Sequence, residues 1–146
     1  VYEYYDGSNR KNELRLLLYA YETSLEGEQE DIPFDMKRVV DNRNDKFSIE
    51  HVWPQTPSDE VDDKKSRIEE HKHRLGNLTL MTQEDNSGNQ NDPFQQKKDA
   101  FDGSKFRMLE EVFEEDEWNE EIIEEREKEM IARIKKRWPD EYEESE

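Results

Sequence analysis

The chain has 146 residues, of which 30% are hydrophobic and 42% are charged, so it can bury the core of about one domain. It contains no cysteine, which excludes disulfide bonds and thiolate zinc sites. It also has no apolar run of about 18 residues to span a membrane and no basic-then-apolar signal sequence. A cytoplasmic setting is the default expectation, and a first residue other than methionine predicts a piece of a longer protein.

The formal charge of −18 is distributed unevenly along the chain. Residues 1–36 carry −6, residues 37–107 carry −1 and residues 108–146 carry −11. The middle of the chain is therefore close to neutral, and the acid lies in its flanks. Two explanations stay open for these flanks: adaptation to the interior of a high-salt organism, or a solvated acidic surface that repels nucleic acid.

Helical periodicity marks both flanks. Residues 9–26 are predicted to form an N-terminal helix with an apolar stripe made by Leu14, Leu17, Leu18, Tyr21 and Leu25. Residues 104–138 are predicted to form the C-terminal helices, one over 105–115 with Ser104 as its N-cap and one over 117–138. The apolar side of the last helix is predicted to comprise Trp118, Ile122, Met130, Ile131, Ile134 and Trp138.

The middle of the chain, about residues 46–101, has a different pattern. Residues 47–53 are predicted to form a strand because apolar and β-branched residues precede a proline that stops it. Residues 74–81 predict a second strand or hairpin arm, after a charged insertion over 58–72. A helix is predicted to begin at Pro93. We therefore expect a single α+β domain that is mostly helical around a small two-stranded motif.

Candidate catalytic residues lie in this middle region. His51 is the candidate general base, because a neutral imidazole can take a proton from water near neutral pH. Glu50 directly precedes it and is a candidate metal ligand. Asn77 is expected to accept a hydrogen bond from the His51 ring and so to fix its tautomer, although a purely structural turn asparagine is the alternative. Asn86 completes the set as a neutral-oxygen metal ligand.

These residue types predict a phosphodiesterase site that uses one divalent cation. Oxygen ligands without cysteine favour Mg²⁺ or Mn²⁺ over zinc. Asn89 and Asn91 are weaker alternatives to Asn86, and each fits a cap or turn as well.

Basic and imidazole side chains near these residues have two interpretations. Arg74, Lys97 and Lys98 are candidates for contact with phosphate, or are solvated charges. His71 and His73 are flanked by charged residues, which favours exposed positions over a role in the site.

Two local motifs carry a family resemblance. They are IEHVWPQ at residues 49–55 and RLGNLTLM at residues 74–81, followed by Asn86, Asn91, Pro93, Phe94, Lys97 and Lys98. Together they resemble the HNH nuclease domain at the C-terminus of GmrSD-type restriction enzymes, and the similar domain of the phosphorothioate-sensing SspE proteins. The resemblance covers about residues 46–101 strongly and extends weakly to the last helix.

The resemblance implies a ββα-metal fold in which two strands and a helix hold one divalent cation. It assigns Glu50 as the acidic metal ligand, His51 as the general base, Asn77 as the middle asparagine of the signature and Asn86 as the last metal-binding position. An asparagine at that last position, where many HNH enzymes have histidine, is a departure from the family pattern, and the insertion over 58–72 is another.

Three hypotheses for function follow. The first is the metal-dependent DNA endonuclease domain of a phage-defence protein, in which an N-terminal sensor and NTPase-like domain recognises DNA, either modified or unmodified. The second is a non-catalytic module that keeps the HNH fold and binds DNA or protein. The third is an acidic helical interaction module that depends on the C-terminal helices.

Overall fold

A computed structural model describes residues 11–25, 47–56, 62–82, 85, 90–104 and 106–137. Within these ranges it contains five α-helices and two strands: α1 Lys11–Leu25, β1 Phe47–His51, α2 Asp62–His71, β2 Leu78–Thr82, α3 Phe94–Ala100, α4 Arg107–Glu114 and α5 Glu120–Arg137. The prediction of a mostly helical α+β chain is confirmed. None of the helices in these ranges combines the length and the hydropathy that crossing a membrane requires.

The two strands form an antiparallel pair that joins the two sequence motifs. The register pairs Phe47 with Thr82 at one end and His51 with Leu78 at the other. The predicted second strand begins later than expected, because Leu75–Asn77 forms a 3-10 turn before β2. One more backbone bond, from Val52 N–H to the Asn77 carbonyl at 2.9 Å, continues the pairing beyond β1. The end of β1 therefore lies directly against the 3-10 turn.

The described part of the charged insertion, residues 62–72, is mostly helical. It contains α2, a helix of ten residues. Ile68 is its inward residue, with no exposed surface. On the outer side, Arg67 forms a bidentate ion pair with Glu120 at the start of α5, with nitrogen–oxygen distances of 2.6 and 3.0 Å. The buried isoleucine and this ion pair together attach an otherwise polar helix to the core.

The core lies between α1, the strand pair, α4 and α5. On α1 the predicted stripe is correct: Leu14, Leu18 and Tyr21 are buried, and the other two members pack against them. On α5 the central inward residue is Ile123, which is fully buried, whereas the predicted Ile122 is only partly buried. Trp138 lies outside the described residues. The apolar surface shared by these elements is the main source of stability of the fold.

The start of α4 depends on a side chain from α1. Ser104 was the expected N-cap, but α4 begins at Arg107, and the hydroxyl of Ser104 accepts the Phe106 N–H at 3.0 Å instead. The buried carboxylate of Glu22 accepts the N–H groups of Arg107 and Met108 at 3.0 and 2.8 Å. A negative charge at a helix N-terminus is favourable, so this long-range cap couples α1 to α4.

Gly76 allows α5 to approach the 3-10 turn. A Cβ at this position would lie 1.9 Å from the Ile123 carbonyl oxygen, which belongs to the helix backbone and cannot rotate away. We expect Gly76→Ala to lower the free energy of unfolding by about 3 kcal/mol, because α5 must shift to relieve the overlap. Urea unfolding followed by circular dichroism measures this loss.

Gly103→Ala provides the comparison for this prediction. Gly103 has a φ of 112° and no heavy atom within 4 Å of an added Cβ. Its substitution should cost about 1 kcal/mol, from backbone strain alone. Equal losses for the two variants would show that close helix packing at Gly76 is not the constraint.

Candidate active site

A polar cleft opens beside the end of β1. Its volume is about 230 Å³, and it is lined by Ile49, Glu50, His51, Gln55, Thr56, Gln90 and Asn91. Three kinds of polar group line it: the carboxylate of Glu50, the imidazole of His51, and the side-chain amides of Gln55, Gln90 and Asn91. The predicted neighbours Glu50 and His51 thus share one solvent-accessible cavity.

His51 is held firmly although it borders the cleft. Only 5% of its surface is exposed. Its backbone is fixed by the pairing with Leu78 and by a 2.7 Å hydrogen bond from Lys97 Nζ to its carbonyl oxygen. Its Nε2 lies 3.2 Å from Nδ1 of His73. A buried ring with a fixed backbone and a nitrogen partner at hydrogen-bond distance is suited to directed proton transfer.

Glu50 forms an ion pair with Lys97. The distance from Lys97 Nζ to Glu50 Oε1 is 2.8 Å, and the two side chains are 0% and 11% exposed, respectively. Nζ also donates to the carbonyl oxygens of His51 and Val52 at 2.7 and 3.2 Å. Burial lowers the pKa of Lys97, and the neighbouring carboxylate opposes that shift. Lys97 therefore ties the carboxylate and the end of β1 together.

The burial of Lys97 corrects the prediction that it contacts phosphate. Its ammonium group has no exposed surface and donates to three protein oxygens, so it cannot reach a DNA backbone from this position. Arg74 and Lys98 also have protein partners: Arg74 pairs with Glu127, and Lys98 donates to the Glu115 carbonyl at 2.5 Å. Their side chains are 17% and 27% exposed, and contact with DNA stays a prediction for these two.

Asn77 has different partners from the one expected. Its Oδ1 accepts the Trp53 backbone N–H at 2.8 Å and the Trp118 indole N–H at 2.9 Å. Its Nδ2 donates to the Trp53 and Lys72 carbonyls at 3.0 and 2.8 Å. Both lone pairs of Oδ1 are used, so the expected bond from His51 is replaced by bonds that hold the loop after β1. Asn77 therefore supports His51 through the backbone.

Of the three asparagines considered as metal ligands, one lies within the described residues. Asn86 and Asn89 lie outside the described residues. Asn91 is described and lines the cleft with Glu50 and His51. Among the described residues, no three His, Cys, Asp or Glu side chains cluster around one point. A cation at this cleft would have a carboxylate and amide oxygens as its protein donors, a set that fits Mg²⁺ or Mn²⁺.

Two residues in the surroundings of the site have contacts that were not predicted from sequence, although Arg126 fits the family pattern in the last helix. His73 was expected to be exposed, yet it is half-buried against His51. Arg126 donates from Nη1 to the carbonyls of Gly76 and Leu78 at 2.8 Å each. Burial lowers the pKa of Arg126 to about 10, and its guanidinium lies 5.9 Å from the ring centre of Trp118. His73 lies in the sequence just before the turn that meets β1, and this position was a signal for its contact with His51. The contacts of Arg126 follow only from packing.

Comparison with known proteins agrees with the local motifs. A comparison with curated proteins returned no match. The family model described as the C-terminal domain of GmrSD restriction endonucleases matches residues 2–133, which include every described element up to most of α5. This confirms the family that motifs 49–55 and 74–81 predicted. The chain belongs to the family of GmrSD restriction endonuclease C-terminal domains.

Proposed function

We propose that this chain is a metal-dependent DNA endonuclease domain of the HNH type. The observation that carries the proposal is the placement of His51, buried at the end of a paired strand, beside Glu50 on one polar cleft. The family supports the substrate class, because its members are C-terminal domains of restriction endonucleases. The reaction is hydrolysis of a phosphodiester by water.

His51 acts as the general base in this proposal. It takes a proton from the water that attacks phosphorus, and the effect of such a positioned base is typically 10²- to 10⁴-fold in rate, as an order of magnitude. The backbone of His51 is held by its strand pairing with Leu78 and by the hydrogen bond from Lys97 Nζ to its carbonyl oxygen. This rigidity keeps the imidazole at the cleft wall and reduces the reorganisation that the reaction requires.

Glu50 and an asparagine would hold the divalent cation. Glu50 supplies a carboxylate oxygen. The amide oxygen comes from Asn91, which lines the cleft, or from Asn86, the position that the family resemblance favours. The cation, when bound, would neutralise charge on the phosphate and acidify water. Lys97 holds the Glu50 carboxylate at the cleft through their 2.8 Å ion pair. In this assignment β1 and β2 correspond to the two strands of the ββα-metal motif.

The Glu50–Lys97 ion pair also favours a second candidate, a non-catalytic module. An ammonium 2.8 Å from the acidic ligand already compensates part of the charge that attracts a cation. A module of this kind would keep the fold and bind DNA or protein without cutting. Cleavage assays separate the two candidates.

DNA and a second domain are the partners in the nuclease proposal. An N-terminal sensor domain of the same protein would recognise the target, either modified or unmodified DNA, in the cytoplasm. The net charge of the chain is −18, and the described candidates for phosphate contact are engaged within the protein. We therefore propose that affinity for DNA depends largely on that other domain.

Metal removal tests this function directly. Nicking of supercoiled plasmid by the chain should require Mg²⁺ or Mn²⁺ and should stop in EDTA, because the cation carries charge that no described side chain supplies. Asn91→Ala should raise the Mn²⁺ concentration for half-maximal nicking by roughly 10-fold if Asn91 is a ligand. Assays at low and at molar KCl test whether the acidic flanks reflect adaptation to salt.

Gln95→Ala is the matched control, since Gln95 lies on the exposed side of α3 and bonds to Asp99. Its metal dependence should equal that of the unmodified chain. Nicking that persists undiminished in EDTA would rule out the metal-dependent mechanism. Absence of nicking by both this chain and the full-length protein would favour the non-catalytic module.

A further inference from the structure

The described residues that line the cleft include no lysine or arginine, although the substrate of a nuclease is a phosphate anion. Lys97 bonds to Glu50 and has no exposed surface. Arg74 and Lys98 are bonded to other groups of the protein, and neither of them lines the cleft. Besides a bound divalent cation, the groups that can hold a phosphate at this wall are therefore mostly neutral hydrogen-bond donors.

Three side chains at the cleft are both neutral and exposed. Gln55 and Thr56 follow the end of β1, and Gln90 belongs to the segment before α3. Each glutamine has a side-chain NH₂ group with two N–H donors, and Thr56 has a hydroxyl donor. Hydrogen bonds from glutamine and threonine to phosphate oxygens are a common part of protein–DNA contacts. The two glutamines thus bring such donors to one cavity from two different segments of the chain.

The backbone that carries Gln55 is fixed. Lys72 Nζ donates to the Gln55 carbonyl at 3.2 Å. Asn77 accepts the backbone N–H of Trp53 at 2.8 Å and donates to the carbonyl of Trp53 at 3.0 Å. Pro54, between Trp53 and Gln55, is buried, and its ring restricts the backbone further. Only the side chain of Gln55 must be ordered when it binds a ligand, which keeps the loss of conformational entropy small.

We propose that Gln55 and Gln90 are substrate-binding residues that donate side-chain N–H groups to phosphate oxygens of the DNA strand in the cleft. The contact does not depend on base sequence, because the phosphodiester is the same at every nucleotide. It holds the strand beside Glu50 and His51 without a cationic side chain. This inference rests on the proposed function and adds to it the side chains that bind the substrate.

Neutral donors differ from cationic ones in their dependence on salt. A lysine or arginine that neutralises a phosphate releases counterions, so its contribution to binding falls as the salt concentration rises. A side-chain amide releases none, and its contribution persists at high ionic strength. The contact would therefore operate at low and at high salt, and it is compatible with both explanations of the acidic flanks.

The kinetic test compares alanine and glutamate substitutions of Gln55 and Gln90 in plasmid nicking. Each alanine variant should raise KM by roughly 3- to 10-fold with kcat nearly unchanged, because a hydrogen bond to a charged group is lost from the ground state and the transition state alike. This rise should be the same at low and at high KCl. Gln55→Glu and Gln90→Glu keep the size of the side chain but bring a negative charge to the phosphate, so KM should rise further. Unchanged KM in both alanine variants, or glutamate variants no weaker than the alanine variants, would overturn the proposal.

Gln96→Glu is the control for the change in charge. Gln96 is an exposed glutamine on α3 that does not line the cleft. Its substitution changes the net charge by the same amount and should leave KM unchanged. An equal rise in KM for Gln96→Glu would show that the overall charge sets KM, against the proposal. Substrates of two base sequences should be affected equally, and a loss confined to one of them would assign the glutamines to base recognition instead.

A binding test does not depend on cleavage. The side-chain amide signals of the glutamines are followed by NMR in Mg²⁺ while thymidylyl-thymidine, a dinucleotide with a single phosphodiester, is added to the unmodified chain. The signals of Gln55 and Gln90 should shift, and that of Gln96 should not. Thymidine, which has the base and the sugar but no phosphate, should shift none of them. No shift with the dinucleotide, or equal shifts with thymidine, would overturn the proposal.

The two tests together separate this inference from the proposed function. If the amide signals shift as expected but no nicking occurs, the nuclease assignment fails while the phosphate contact stands. If nicking depends on the metal and on His51 but neither KM nor the amide signals respond, the contact is wrong while the nuclease assignment stands.

Discussion

Replacing His51 with alanine is expected to reduce metal-dependent plasmid nicking by roughly 10²- to 10⁴-fold, the effect of removing a positioned general base. His51 lines the cleft, and its backbone is fixed at the end of β1. Nicking rates at saturating Mg²⁺ measure the loss, and thermal unfolding shows whether the variant remains folded.

His71→Ala is the control for this change. His71 is also a partly buried histidine close to the loop after β1, but it does not line the cleft. It should keep most of the activity. If His51→Ala nicks as fast as the unmodified chain while folded, His51 is not the base and the proposed mechanism is wrong.

Replacing Lys97 with methionine should cause the largest loss of stability, about 3–5 kcal/mol, because it breaks a buried ion pair on one side only. The Glu50 carboxylate, which is 11% exposed, would lose its counter-charge. The carbonyls of His51 and Val52 would lose a hydrogen-bond donor. Nicking should fall as well, since the end of β1 loses the side chain that anchors it. Urea unfolding measures the first effect and plasmid nicking the second.

Lys98→Met and a double variant make this prediction specific. Lys98 is next in the chain and is 27% exposed, so its substitution should cost less than about 1 kcal/mol. Adding Glu50→Gln to Lys97→Met removes the uncompensated charge and should recover part of the stability. A loss for Lys97→Met no larger than that for Lys98→Met would contradict the structural role assigned to the buried ammonium.

Local patterns were sufficient for the elements and for the family. The stripe Leu14, Leu18 and Tyr21 has the spacing of one helical face, and all three residues are buried in α1. The motifs at residues 49–55 and 74–81 contain most of β1 and β2 and the 3-10 turn that precedes β2. Such features depend on residues a few positions apart, and backbone periodicity relates those positions directly. Glu50 and His51 line one cleft and could be predicted as a pair for the same reason, since they are neighbours in the chain.

The roles of individual polar side chains depended on contacts between distant residues. Lys97 and Lys98 are chemically alike in sequence, and only the packing of α3 against the end of β1 makes the first buried and the second partly exposed. Trp118, 41 positions away, supplies a donor to Asn77, and His73 lies 22 positions from His51. Whether a polar group meets a partner or water is decided by how the elements dock, because burial makes an unpaired group costly. Periodicity does not encode that docking, so these partners became visible only in the folded chain.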